Sequence, residues 1–69
     1  MIKINLDQVI KDRDITSKEL AAAIDITPAN LSILKTGKAK GIRFQTLDKL
    51  CEVLHCQPGD IIEYISDQA

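Results

Sequence analysis

The sequence predicts one small all-α domain of about five helices. Three observations lead to this fold class. With 69 residues, the chain is long enough for one compact domain, residues 1–69, and too short for two. Its hydrophobic fraction of 45% includes only one Phe and one Tyr, so the core should be built from Ile, Leu, Val and Ala, as in packed short helices. Finally, apolar residues recur at helical spacing behind strong helix-start signals.

The first predicted element is a short extended segment that leads into a helix. The first six residues alternate apolar and polar side chains, which is typical of extended chain, and the period changes near Asn5 or Leu6. Leu6, Val9 and Ile10 then follow the i, i+3, i+4 spacing of a buried helical stripe. We therefore expect helix 1 to run from there to position 13 or 14.

Helix 2 is predicted by a capping box. The Thr16 hydroxyl can accept a hydrogen bond from the Glu19 amide, while the Glu19 carboxylate accepts one from the Thr16 amide. Leu20 and Ile24 are expected to face inward, and Ala21 keeps the surface low where another helix crosses. Helix 2 should therefore begin at this box.

Helix 3 is predicted to follow after a very tight turn. Asp25 interrupts helix 2, and Thr27 is an N-cap followed by Pro28 at the first helical position, where the missing amide costs nothing. This places helix 3 only two residues after helix 2, with Leu31 facing inward. We expect Gly37 to end helix 3 in a left-handed conformation.

The last two helices complete the predicted domain. Residues 38–43 are predicted to form a loop with a basic edge, and helix 4 should begin between positions 44 and 46. Pro58 starts a short last helix. Residues 61–65 either continue that helix or turn extended and pair with residues 2–6 as a β ribbon. The apolar stripe of helix 4, the clearest in the chain, consists of Leu47, Leu50, Cys51 and Leu54.

Charge is distributed unevenly along the chain. The net charge of −1 and the pI near 5.6 argue against a protein that coats nucleic acid by bulk electrostatics. Residues 26–47, however, carry four basic and no acidic side chains. Because exposed charges more than about 8–10 Å apart are largely screened at physiological salt, this segment can still present a positive face to phosphate.

Several classes of function find no support in the sequence. It has no apolar run near the roughly 18 residues of a membrane span and no signal segment, so we expect a cytoplasmic protein without a membrane partner. Cys51 and Cys56 are too far apart along one helix for easy bridging and should stay reduced. With His55 they offer fewer ligands than a structural zinc site needs, so no metal is expected. One His, no Gly-rich phosphate loop and no room for a pocket leave no enzyme, cofactor or small-molecule effector to propose.

Residues 16–37 together have the layout of a helix-turn-helix unit, in which a capped helix, a tight turn and a second capped helix follow one another. In such a unit the first helix lies across the phosphate backbone of DNA. The N-terminal residues of the second, short helix enter the major groove. The pattern therefore indicates a DNA-binding function.

Five stretches of the chain carry a family resemblance: residues 16–21 (TSKELA), 26–32 (ITPANLS), 35–38 (KTGK), 47–54 (LDKLCEVL) and 56–61 (CQPGDI). They resemble the Xre, Cro and phage-repressor family of helix-turn-helix regulators, and the resemblance covers about residues 5–63. It implies a five-helix, lambda-repressor-like domain that binds double-stranded DNA and regulates transcription, expected to be a repressor. Asp25 stands where the family usually has Gly, and Asp tolerates the left-handed conformation better than most residues do.

The resemblance also implies which residues contact DNA. The alternative for the basic positions is that they bind no ligand, because cations are also common at helix C-termini and in solvated loops. The base-facing positions are Pro28, Ala29, Asn30, Ser32 and Ile33. The phosphate-contacting positions are Ser17, Lys18, Lys35, Thr36, Lys38, Lys40 and Arg43.

The base-facing positions depart from the family in their chemistry. The family often has long polar side chains where this chain has Pro28, Ala29 and Ile33, so bidentate hydrogen bonds to bases are largely missing. Apolar contacts between thymine methyl groups and Ala29 or Ile33 can supply some specificity. Hydrogen bonds from Asn30 or Ser32 and the shape of the DNA can supply more.

A homodimer is expected, with two recognition helices that meet half-sites about one helical turn apart on a near-palindromic operator. Apolar residues crowd at the C-terminus, so Ile62, Tyr64, Ile65 and the last two helices form the candidate dimer surface. Two alternatives stay open. One is an antitoxin-like regulator that also binds a protein partner. The other is a protein-interaction module that has lost DNA binding, which the acidic pI and the apolar base-facing positions favour.

Overall fold

The chain folds into short helices, with a small sheet that joins its two ends. The structure is a computed structural model that describes residues 1–66; the last three residues of the predicted domain 1–69 lie outside the described range. This architecture confirms the prediction of an all-α domain of five helices, and of the two alternatives for the tail the β ribbon is the one that forms. In chain order the elements of the described range are β1 (Ile2–Ile4), α1 (Leu6–Asp12), α2 (Ser17–Ala23), α3 (Pro28–Lys35), α4 (Phe44–Leu54), α5 (Pro58–Ile61) and β2 (Ile62–Tyr64).

The two strands form an antiparallel ribbon, so the tail turns extended after α5 instead of continuing as helix. Ile62 ends α5 with an extended backbone, φ −129° and ψ 145°. The Asn5 amide donates to the Ile61 carbonyl at 2.7 Å, and the Ile65 amide donates to the Met1 carbonyl at 2.8 Å. The ribbon therefore ties both ends of the described chain to α5. Its strand pairs are Ile2 with Tyr64, Lys3 with Glu63, and Ile4 with Ile62.

The core lies where the five helices of the described range converge, and its members are aliphatic. Each helix contributes at least one side chain that is almost fully buried, and burial of such a side chain is worth about 1.5–3 kcal/mol. No aromatic residue takes part, as the composition predicts, because the one Phe and the one Tyr are both exposed. These core side chains are Leu6, Leu20, Leu31, Leu50 and Ile61.

The predicted helix boundaries are largely confirmed. The Thr16 hydroxyl accepts from the Glu19 amide at 3.0 Å, and the Glu19 carboxylate accepts from the Thr16 amide at 3.2 Å. Gly37 ends the turn after α3 with a φ of 75°. One prediction was wrong by two residues. Four residues separate α2 from α3 because Ile24 is already outside the helix and Asp25 is left-handed, with a φ of 59°.

Arg13 links the first and fourth helices. Its Nε donates to the Leu54 carbonyl at 2.7 Å, at the C-terminal end of α4 where carbonyls have no partner within the helix. The next residue, His55, is left-handed with a φ of 52° and ends α4. A guanidinium at this position also favours the negative end of the helix dipole.

The two cysteines lie half-buried near the junction of α4 and α5. Both Cys51 and Cys56 are free thiols. Desolvation by burial, reinforced by Cys51 and Asp60 nearby, raises the pKa of the Cys56 thiol. This thiol is therefore protonated at neutral pH. Within residues 1–66, no three His, Cys, Asp or Glu side chains come together as a metal-binding group, and no helix there is long and apolar enough to cross a membrane.

Candidate nucleic-acid interface

Helix α3 presents one side to the core and the opposite side to solvent. Leu31 faces the core and is fully buried. Because an α-helix has 3.6 residues per turn, Pro28 and Ser32 lie above one another on the outer side, and so do Ala29 and Ile33. All four are exposed. The sequence-predicted base-facing residues therefore share an accessible helix face.

Asn30 lies at the edge of this face, next to a hollow between α3 and the loop that follows it. The hollow has a volume of about 420 Å³. Asn30 and Ile33 line it from α3, and Arg43 lines it from the opposite side. The backbone amide of Asn30 donates to the Thr27 hydroxyl at 3.1 Å, and this hydrogen bond caps α3. The side chain of Asn30 takes no part in the cap and is exposed.

The orientation of α3 is set by its packing on α2. Ala21 is buried at the crossing of the two helices, where a larger side chain would hold them apart. The Ile26 amide donates to the Ala21 carbonyl at 3.0 Å, which closes the turn around the left-handed Asp25. The turn therefore holds α3 across α2 with its outer face free.

Two of the predicted phosphate residues contact each other. The Lys35 ammonium donates to the Ser17 hydroxyl oxygen at 2.7 Å and lies 3.5 Å from a carboxylate oxygen of Asp7. The Asp7 carboxylate also pairs with Lys11 at 3.3 Å, and Lys11 and Lys35 together hold the pKa of Asp7 below its usual range. The Lys35 side chain is 25% exposed. Its ammonium group thus joins α1, α2 and α3 in one polar cluster.

The sequence analysis missed Asp7 as a member of this cluster. Periodicity identifies Asp7 as lying on the solvent side of α1, but its contact with Lys35 joins residues far apart in the chain. No local pattern signals such a contact. The one available hint is the spacing of Asp7 and Lys11, which is the i, i+4 spacing of a helical ion pair.

Thr36 uses its hydroxyl within its own helix end. The Thr36 Oγ1 donates to the Ser32 carbonyl at 3.0 Å, with a longer contact to the Ile33 carbonyl at 3.3 Å. A hydroxyl carries one donor proton. The proton is therefore engaged in the structure, while the oxygen still has acceptor capacity.

The other predicted phosphate residues are exposed cations around α3. Lys18 is in the first turn of α2, Lys38 and Lys40 lie in the loop after α3, and Arg43 is the residue just before α4. In the part of the chain that the structure describes, none of the four is in an ion pair. Their charges are therefore available to an anionic ligand.

The chain is similar to a family of DNA-binding domains, to one curated relative and to one solved structure. A family model described as the Cro/C1-type HTH DNA-binding domain matches residues 5–67. The HTH-type transcriptional regulator YozG of Bacillus subtilis, itself uncharacterized, is 54% identical over 67 residues, which cover 97% of this chain and 80% of YozG. The crystal structure of a candidate DNA-binding protein from Bacteroides fragilis superposes with a TM-score of 0.82 at 21% identity, over 91% of this chain and 100% of that one. The last likeness bears on the fold alone.

Proposed function

Because the chain belongs to the Cro/C1-type helix-turn-helix (HTH) family of DNA-binding domains, we propose that this DNA-binding transcriptional regulator inserts α3 into the major groove of double-stranded DNA. The observation that carries the proposal is the outer face of α3. Its side chains are exposed, while Leu31 on the opposite side of the helix is fully buried. The base-facing set is Pro28, Ala29, Asn30, Ser32 and Ile33.

Phosphate contacts around α3 supply most of the affinity in this proposal. Lys18, Lys38, Lys40 and Arg43 have charges free for phosphate oxygens, and each neutralised phosphate releases counterions from the DNA. Ser17 and Thr36 complete the set, while Lys35 acts on it through its hydrogen bond to Ser17. Because residues 26–47 contain no acidic side chain, this side of the domain repels DNA less than the net charge of −1 suggests.

The regulator is proposed to bind as a homodimer. Two copies related by a two-fold axis place their α3 helices in successive turns of the major groove, about 34–36 Å apart. The proposed contact surface is the apolar end of the ribbon. Ile2 and Tyr64 are directly paired, lie on one side of the ribbon and are 61% and 71% exposed. Ile65 and the half-buried Ile62 extend the same apolar region.

Repression by promoter occupancy is the proposed regulatory outcome. The described domain is 38 Å along its longest axis, which is close to the length of one turn of duplex DNA, about 34–36 Å. A bound domain therefore blocks access to that stretch for other proteins. Because its proposed ligand is double-stranded DNA, we propose that the protein acts in the cytoplasm.

The experiment that tests this function is selection of bound duplexes from a random DNA pool across a salt series. We expect a near-palindromic motif and an affinity that falls steeply with salt. A variant with Lys38, Lys40 and Arg43 all changed to Glu should lose binding at every salt concentration. The matched pair of single variants is Lys40→Glu, in the basic loop after α3, and Lys49→Glu, on the exposed surface of α4 and outside the lining of the hollow.

Two results would contradict the proposal. Retention of no duplex at low salt would favour the protein-interaction module over the regulator. Equal loss of binding in Lys40→Glu and in Lys49→Glu, which change the net charge by the same amount, would show that net charge alone, and not the face around α3, governs DNA binding.

A further inference from the structure

We propose that α3 reads the 5-methyl groups of pyrimidines in the major groove, with Ile33 as the main specificity-determining residue and Ala29 beside it. This inference rests on the proposed insertion of α3 into that groove. It names the chemical group on the DNA that the helix selects. In ordinary DNA that group belongs to thymine, and in methylated DNA it also belongs to 5-methylcytosine.

The first observation is the position of Ile33. Its side chain is 44% exposed, and no other large apolar side chain of α3 is exposed. A single exposed apolar residue is ordinary on a protein surface, so exposure alone decides nothing. Ile33, however, lies one turn after Ala29 on the outer face, so the two form a short apolar strip along the part of α3 that would enter the groove.

The second observation is what the outer face lacks. Bidentate hydrogen bonds to bases come from long polar side chains such as Arg, Lys, Asn and Gln. Pro28 and Ala29 have no polar side-chain atom, and Ser32 has only a short hydroxyl. Asn30 is the longest polar side chain available and lies at the edge of the face. The face therefore has few side chains that can distinguish bases by hydrogen bonds to their donor and acceptor groups in the major groove.

The thymine 5-methyl is the apolar group that a base pair displays in the major groove. A methyl group packed against Ile33 removes apolar surface from water on both sides. Because a phosphate bound by Arg43 and a methyl group at Ile33 would meet opposite sides of one hollow, both contacts belong to the same stretch of DNA. The cation then sets the register, and the isoleucine reads the base.

The test uses the duplex recovered by selection, resynthesised with deoxyuridine in place of thymidine at one position at a time. Uracil keeps the hydrogen-bonding groups of thymine and lacks only the methyl group. At about 0.8 kcal/mol per buried methyl-sized group, we expect a loss of affinity of about fourfold at one or two positions in each half-site. Other positions should be unaffected.

The variants assign the effect to Ile33. In Ile33→Ala, thymine and uracil duplexes should bind with equal affinity, and Ile33→Val should keep part of the difference. Lys38→Ala is the matched control, because it weakens binding to both duplexes while the ratio between them stays as in the wild type. Thermal unfolding of Ile33→Ala should match the wild type, since the side chain is outside the core.

A second arm separates the two sources of the methyl group. At each sensitive position, the T·A pair is replaced by C·G and by 5-methyl-C·G. The methylated duplex should bind more tightly than the unmethylated one by about fourfold. If it instead binds no better, while uracil still weakens binding, the reading is restricted to thymine.

Three outcomes overturn the inference, and they are distinguishable. Failure of the wild type to bind any duplex removes the proposed function and this inference with it. Specific binding that is indifferent to uracil at every position removes the methyl reading alone. Sensitivity to uracil that persists unchanged in Ile33→Ala removes the assignment to Ile33.

Discussion

At the scale of one residue, Lys35 has a different role in the structure from the one that its sequence position predicts. By sequence it is one of a row of cations around α3. In the structure its ammonium has two protein partners, Ser17 at 2.7 Å and Asp7 at 3.5 Å. The hydrogen bond from Lys35 occupies a lone pair of the Ser17 oxygen, which leaves the Ser17 proton free to point outward. Lys35 is thus placed to orient Ser17, one of the proposed phosphate contacts.

We therefore predict that Lys35→Met weakens DNA binding without changing its salt dependence. A lysine that neutralises a phosphate contributes about 0.9 to the slope of log affinity against log salt concentration. Lys38→Met should lower the slope by that amount and serves as the control. A Lys35→Met slope lowered by about 0.9 would contradict the positioning role and assign Lys35 directly to phosphate.

A second prediction at this scale concerns Asp7 and pH. Lys11 and Lys35 lower the pKa of Asp7 in the folded state. Such a group contributes stability above its unfolded pKa of about 4, and the contribution is lost as the pH falls through the lower folded pKa. The free energy of unfolding of Asp7→Asn should therefore lie below that of the wild type at pH 7 and approach it at pH 2.5. Urea titrations at the two pH values measure this, and a constant difference would rule the linkage out.

At the scale of single elements, three non-glycine residues among residues 1–66 adopt left-handed backbone conformations. Asp14, Asp25 and His55 have φ values of 55°, 59° and 52°. Asp adopts this region more readily than most residues do, because its short polar side chain can hydrogen-bond locally. His55 ends α4 at a position where helices commonly have Gly. It is therefore the position of the three where relief of backbone strain should gain most.

We predict that His55→Gly raises the free energy of unfolding by about 0.5–1 kcal/mol, because Gly removes the crowding of Cβ at positive φ. The net gain is smaller than the strain relieved, because Gly also increases the conformational entropy of the unfolded chain. His55→Ala is the control, since it removes the imidazole and keeps the crowding. Chemical denaturation at pH 7 measures both variants. Equal stabilisation by Ala and Gly would attribute the effect to the imidazole instead of the backbone.

At the scale of the whole molecule, the large exposed apolar side chains within residues 1–66 lie mainly outside α3, where Ile33 is the exception. They concentrate at the ribbon, with Met1, Ile2, Tyr64 and Ile65, while Phe44 stands alone at the start of α4 with 88% of its surface exposed. A chain of this length buries only about 60% of the surface that its unfolded form exposes, less than a larger domain does, so association of two copies would add stability as well as a second recognition helix.

We predict that Tyr64→Lys converts the proposed homodimer to a monomer. A cation placed beside Ile2 would lose solvation in the two-fold contact, where it would also meet its own copy. Binding to a duplex with two half-sites should weaken strongly, while binding to a single half-site should stay unchanged. Analytical ultracentrifugation and titration of the two duplexes measure this.

Phe44→Lys is the comparison for the dimer surface. If that variant dissociates the dimer and Tyr64→Lys does not, the contact is formed by α4 and α5 instead of the ribbon. A wild-type mass of one chain at micromolar concentration, with and without DNA, would remove the homodimer altogether.

The sequence by itself determined the features that depend on neighbouring residues. The capping hydroxyls of Thr16 and Thr27, the proline at the start of α3 and the left-handed Gly37 act through bonds and angles within a few residues. Helical periodicity likewise predicted which side of α3 would be exposed. These interactions join residues a few positions apart, so their energies are nearly the same in an isolated segment and in the folded protein.

Only the tertiary structure decided the features that join distant parts of the chain. The tail turns extended because a strand at residues 2–4 is present to pair with it, and the apolar alternation of the tail permits helix and strand alike. Lys35 points to Ser17 and Asp7 because packing brings α1, α2 and α3 together. Such contacts form only when the chain folds and brings distant residues together, so the local spacing of residues does not predict them.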